Sequence, residues 1–249
     1  MAVLPASVRV ALWASAAFAG RVPVEDVADR AMPDLDHCTG LTDRLGLWRD
    51  LGEQVLLVAL PRPGDLTGMP AGPPEMVTAA LDAEELVFVP GVGGALVPTI
   101  EEFGPPGDRG WQARWTGYDA DPVPSHVVQA VALPDVELAL RRAAADLTGR
   151  LAETSGAPLA GEGLERLARR TVAQDWGVPE GLPSRAVRVI ELAGSLTSLA
   201  EIGLDGRLQS VDSSTTLQRE RILQELHDRA AQALVAATNV AALHLAGWR

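Results

Sequence analysis

From Pro134 onward, this chain of 249 residues offers only helical periodicity. Residues 135–154 place Val136, Leu140, Ala143, Ala144, Leu147 and Leu151 on one stripe, the spacing of a helix that buries one face. Residues 162–174 form a second helical pattern, closed by the turn-rich stretch 177–183, and residues 184–204 form a third. A fourth runs from about Thr215 to Ala246, with Leu223, Leu226, Ala230, Ala233, Ala237, Val240 and His244 at three-four spacing. Thr215 and Gln218 fit a capping box at its start. Small alanines let neighbouring helices approach closely, so an antiparallel bundle is the expected packing.

The first half follows another rule. Helical stretches broken by Pro23, Pro33 and Gly40 come first, including 24–31 and 39–51, the latter with Leu41, Leu45 and Trp48 at helical spacing. Residues 54–60 (QVLLVAL) are a continuous apolar run ended by Pro61, which suits a buried strand. The stretch 61–74 holds five Pro and three Gly and is expected to be a long loop. A short helix over 75–83 follows. Residues 86–89 and 95–100 are two strands joined by the glycine-rich turn 90–94. A phosphate-binding loop would need a helix after those glycines, and a strand follows instead. In 111–118, Trp111, Ala113 and Trp115 face one way and Gln112, Arg114, Thr116 and Tyr118 the other, the alternation of a strand with one wet face. Residues 127–133 are expected to add one more strand. The expected fold is therefore α+β, with N-terminal helices around a small, mostly antiparallel sheet over 1–133. A C-terminal all-α helical bundle is expected over 134–249.

Composition narrows the chemistry. The chain has no lysine; all 21 basic residues are arginine. That removes phosphate-loop, Schiff-base and kinase-type lysines. The single cysteine, Cys38, removes four-thiolate zinc sites and intrachain disulfides. The net charge of −12 argues against a nucleic-acid partner, because a phosphate backbone needs a basic face. Residues 1–133 hold 8 Arg against 18 Asp and Glu, whereas 134–249 hold 13 against 15, so the acidity sits in the first half. The apolar stretch 10–19 admits two readings: a signal-peptide core, or a helix behind Pro5. The helix is favoured, and no run reaches the ~20 apolar residues of a membrane span.

Three segments carry groups able to do chemistry. In 61–74, Arg62 is placed to clamp an anion, with Asp65 and Thr67 as neighbouring ligand contacts. The plainer reading has Asp65 satisfying its own turn and Arg62 in solvent. In 118–126, Asp119 and Asp121 on extended backbone point the same way and are able to share a hard cation. His126 is the accompanying base or third ligand, and Tyr118 and Arg114 stand on the strand before them. Here the plainer reading is an Asp-Pro turn. The third segment, 34–38, brings His37 beside Cys38, but adjacent residues seldom face each other, and helix capping by Asp34 or Asp36 is the expected role. Arg141, Arg142, Arg166, Arg169, Arg170, Arg185 and Arg188 in the helical half are expected mostly to pair with Glu on solvated faces. Trp176 and Trp248 sit at helix ends and are expected to lock those ends to the core. His227 and His244 are expected to be structural.

The runs Val58-Ala59-Leu60-Pro61-Arg62-Pro63-Gly64-Asp65, Tyr118-Asp119-Ala120-Asp121-Pro122 and Leu245-Ala246-Gly247-Trp248-Arg249 resemble a group of uncharacterised proteins of high-GC Gram-positive bacteria, over most of the chain. The resemblance implies a bacterial cytoplasmic protein and carries over no catalytic residue and no cofactor. Two functions stay open. One is a non-catalytic binding or regulatory protein, holding a small anionic ligand or a partner in the loops, with a homodimer or protein contact through the helical half. The other is a metal-assisted hydrolase using Asp119, Asp121 and His126 with Arg62 as anion clamp.

Overall fold

The computed structural model describes residues 4–105, 107–153, 176–204 and 213–248. They fall into two compact units. A sheet unit takes in 5–131, 177–183 and the C-terminal segment from Thr238; the helical unit takes in the other described residues.

The sheet unit opens with α1 (Ala6–Phe18), which follows Pro5 and is buried on nearly every side. A helix with no polar face belongs in a core, and α1 packs on strands β2 and β3. Residues 10–18 of the apolar stretch are part of this helix, and Ala19 is its C-cap. A 3-10 turn (Val24–Asp26) leads into α2 (Val27–Ala31). Then come β1 (His37–Thr39), α3 (Leu41–Asp50), β2 (Leu57–Ala59), α4 (Pro74–Ala83), β3 (Leu86–Phe88), β4 (Ala95–Phe103), β5 (Gly110–Tyr118) and α5 (Ser125–Gln129).

The five strands form one sheet in the order β1-β5-β4-β3-β2. Three pairings are antiparallel, and β1 runs parallel to β5. One sheet face carries Leu57, Ala59, Leu86, Phe88, Ala95 and Val97, a period of two along β2, β3 and β4. Met76 and Ala80 of α4 cover it, joined by Ala242 and Leu243 near the C-terminus. The outer edge of β2 is closed by two helix side chains. Ser15 donates to Leu56 O at 3.2 Å and accepts from Leu56 N at 3.0 Å; Asn239 does the same at Val58.

Two expectations fail here. Residues 127–133 are not a strand: they belong to α5, a short connection and the start of the next helix. Both edges of β5 are already taken, by β4 and β1, and Pro124 stands at the N-cap of α5. Asp34 and Asp36 do not cap a helix. Gly40, at φ 78°, is the N-cap of α3 with no side-chain bond. Asp34 instead pairs with the buried Arg9 at 2.6 Å, and Asp36 accepts from Trp111 N at 2.9 Å, at the start of the β1–β5 pairing.

The helical unit contains α6 (Leu133–Glu153), α7 (Ser184–Leu204) and most of α8 (Ser213–Leu245). Leu133, Leu140 and Leu147 recur every seven residues on the buried stripe of α6. Leu147, Ala200, Ile222 and Leu226 form a core cluster. Trp176 is buried, and its ring lies against Gly194 of α7. α8 begins by Ser213, so Thr215 stands inside the helix and not at its cap. The helix expected over 162–174, with Arg166, Arg169 and Arg170, lies outside the described residues.

Candidate functional site

The loop after β2 is a built turn. Arg62 and Asp65 exchange both backbone hydrogen bonds at 2.8 Å around Pro63 and Gly64, with Gly64 at φ 88°. Asp65 Oδ1 accepts from Thr67 N at 2.9 Å, an Asx-type bond that holds the next residue. The Arg62 guanidinium lies 3.6 Å from Glu84 at the end of α4. Pro61 and Pro70 are buried, so the loop is pinned at both shoulders.

This loop meets the segment that leaves β5. Asp121 N donates to Ala71 O at 2.7 Å. The same segment is laced to the 90–94 turn: Gly94 N donates to Ala120 O at 3.0 Å, and Val123 N to Pro90 O at 3.0 Å. Gly93, at φ 80°, is required here, because a Cβ would collide with Ala120 O. Three chain segments far apart in sequence thus form one junction through main-chain bonds.

Glu53 supports the junction from behind. It is 7% exposed and accepts backbone hydrogen bonds from Val92 and Gly91. Burial pushes its carboxyl above the ordinary range, and those two bonds partly oppose the shift. The Trp48 ring packs against Gly94. Sequence marked Trp48 for its helical spacing but did not mark Glu53: it is one acidic residue before an apolar run, and its partners are main-chain groups with no signature.

The candidate side chains divide between places. Asp119, Asp121 and His126 are all exposed, His126 on α5. Among the described residues, no three His, Cys, Asp or Glu side chains gather closely enough to hold a metal. Arg114 is exposed in the middle of β5, paired in register with Thr99 on one side and Thr39 on the other. Four residues along a strand from Tyr118, it stands roughly 13 Å from the junction. Tyr118 is half-buried and lines a cleft with Thr116, Thr99, Glu85 and Asp82.

Cys38 lies on β1, and burial raises its thiol pKa, which disfavours a thiolate nucleophile. His37 packs on Phe103 with ring centres 5.0 Å apart. In the helical unit, Arg141 and Arg185 both reach Glu137, at 3.1 and 3.3 Å, and Arg150 reaches Glu225 at 2.9 Å. A groove of about 470 Å³ between α6 and α8 has Leu140, Ala143 and Ala233 in its walls and Arg142, Asp146 and Arg229 beside them. His227 is buried beside Glu201 at 3.3 Å, and His244 is half-buried. Trp248 donates to Gln54 at 3.0 Å and packs on the sheet core.

Fold and site define an α+β protein with a five-stranded mixed sheet, a helical region, and a backbone-laced loop junction at one end of β5. The chain belongs to the Rv1486c-like family: residues 7–133 match the family's N-terminal domain and 134–235 its C-terminal domain. No curated protein and no solved structure matches it.

Proposed function

We propose that this is a non-catalytic binding or regulatory protein of the bacterial cytoplasm whose ligand or partner is held by the loops at 61–74 and 118–126. The observation that supports the reading is the 2.7 Å bond from Asp121 N to Ala71 O, which joins the two loops into one surface. Arg62, Asp65, Thr67, Tyr118 and His126 belong to these loops, and Arg62 is the group for a small anion, exchanging Glu84 for the ligand. The net charge of −12 supports the absence of a nucleic-acid partner. Among the described residues no helix is long and apolar enough to cross a membrane. The cytoplasmic assignment rests on the resemblance to bacterial proteins, and the α6–α8 groove is the surface for a homodimer or protein partner. A metal-assisted hydrolase needs Asp119, Asp121 and His126 to gather around a cation, and no observation favours it.

The test is a thermal-shift screen of the full chain against divalent metals, nucleotides and small anionic metabolites, repeated with Arg62→Ala and Asp121→Ala. The reading expects an anion that raises the melting temperature of the natural chain but not of Arg62→Ala, whose unliganded melting temperature is unchanged. A rise that survives both substitutions, or no rise with any compound, contradicts it.

A further inference from the structure

We infer that the groove between α6 and α8 binds an amphiphilic monocarboxylate, an acid that carries an alkyl chain. The groove lies within the helical unit and does not depend on the loops holding a ligand. A partner seated on the same surface would compete with the acid. The origin of the groove is in the sequence. Ala139 and Ala143 stand one turn apart on α6, and Ala233 and Ala236 one turn apart on α8. Short side chains on both stripes leave the space between the helices unfilled, and the buried Leu140 and Leu147 complete its apolar lining. That space is about 470 Å³, within the range of small-molecule sites.

The charges around the groove decide the head group. Arg142 and Arg229 line it from opposite helices. On each helix a carboxylate stands four residues from the arginine, the spacing of an ion pair: Asp146 after Arg142, and Glu225 before Arg229. Arg150 takes both acids instead, Asp146 at 3.7 Å and Glu225 at 2.9 Å. Among the described residues Arg142 and Arg229 are left without an ion pair. Three guanidiniums thus stand against two carboxylates, a local positive excess in a chain of net charge −12. One carboxylate placed between Arg142 and Arg229 balances that excess and accepts charge-assisted hydrogen bonds from both. A bare anion would leave the apolar lining in water, whereas an alkyl chain covers it. A cation of the same shape would be repelled.

Octanoate is the probe, with octanol, octylamine and acetate as its neutral, cationic and chainless counterparts. Each is titrated by calorimetry into the full chain and into Arg142→Gln, Arg229→Gln, Arg150→Gln and Arg62→Ala. Arg142 and Arg229 are exposed, and glutamine is close to arginine as a helix former, so Arg142→Gln and Arg229→Gln keep the thermal midpoint of the natural chain. The expected result is saturable octanoate binding, with each counterpart weaker by roughly tenfold or more. Arg142→Gln and Arg229→Gln should each weaken octanoate by roughly tenfold, the value of a lost charge-assisted hydrogen bond. Arg150→Gln should weaken it too, because Asp146 and Glu225 are then free to pair with Arg142 and Arg229. Arg62→Ala should leave it unchanged, whether or not the loops hold an anion of their own. No saturable octanoate binding, octanol bound as tightly as octanoate, or octanoate binding unaffected by both Arg142→Gln and Arg229→Gln overturns the proposal. A loss in Arg62→Ala alone would place the acid in the loops and overturns it as well.

Discussion

Asn239 and Val58 exchange two hydrogen bonds: Asn239 Oδ1 accepts from Val58 N at 2.8 Å, and its Nδ2 donates to Val58 O at 3.0 Å. The side-chain amide does what a neighbouring strand would do. It satisfies both backbone groups on the outer edge of β2 and closes that edge to another chain. Asn239 is the one asparagine in the sequence. Aspartate has no donor, and leucine has neither group.

Asn239→Leu therefore leaves a buried N–H and C=O without partners. The expected loss is about 1–3 kcal/mol, read as a lower urea midpoint with an unchanged slope. Asn239→Asp keeps the acceptor but sets a carboxylate against Val58 O, and should be at least as damaging at neutral pH. Ser15→Ala removes the equivalent pair at Leu56, and its loss should be of similar size. If these changes are silent, β2 is not held by these side chains.

Two glycines with similar backbone angles should respond differently to alanine. Gly64 has φ 88° and open space around it, so Gly64→Ala pays only for the conformation, about 1 kcal/mol. Gly93 has φ 80°, and its new Cβ would meet Ala120 O. Gly93→Ala should lose about 1–3 kcal/mol and loosen the loop junction as well. Denaturant melts of the two variants give the comparison, and equal losses would deny the close approach.

Glu53 and Glu85 fix a pH signature. Both have folded-state pKa values raised by burial, so the folded chain holds their protons more tightly than the unfolded chain. Their contribution to stability is lost as pH rises from the ordinary carboxylate value through the raised one, and is regained on acidification. Other carboxylates titrate as well, so the comparison is with a Glu53→Gln/Glu85→Gln variant. The natural chain should gain stability relative to the variant as pH falls through that window. A difference independent of pH would contradict the raised values.

In the helical unit, Leu147 is 1% exposed and packs with Ala200, Ile222 and Leu226. Leu147→Ala should lose about 2–5 kcal/mol. The thermal midpoint of the helical signal checks this; a shift of a degree or less would mean that Leu147 is not in a packed core.

Long periodic segments are legible from sequence because many residues report one pattern. The helix over 184–204 and the alternation of β5 are cases of this kind. The turn at 90–94 is legible because glycine chemistry and flanking strands agree. β1 is not: three residues carry no period, and their partner lies more than seventy positions away. Residues 127–133 mislead because Val127, Val128 and Val131 suit a strand locally, while the sheet has no edge left for them on β5. At the site, residue types marked the two loops, but their lacing runs through the main-chain groups of Ala71, Ala120 and Asp121, which every sequence has. Asn239 and Glu53 act on backbone as well, and no spacing rule announces them.

The joining of the two loops at Asp121 and Ala71 is the central claim, and amide hydrogen exchange by NMR tests it most directly. The account predicts slow exchange at Asp121, Gly94 and Val123, with protection at all three falling in Gly93→Ala. Exchange of Asp121 at the rate of an open loop in the natural chain would contradict the claim, and the shared binding surface with it.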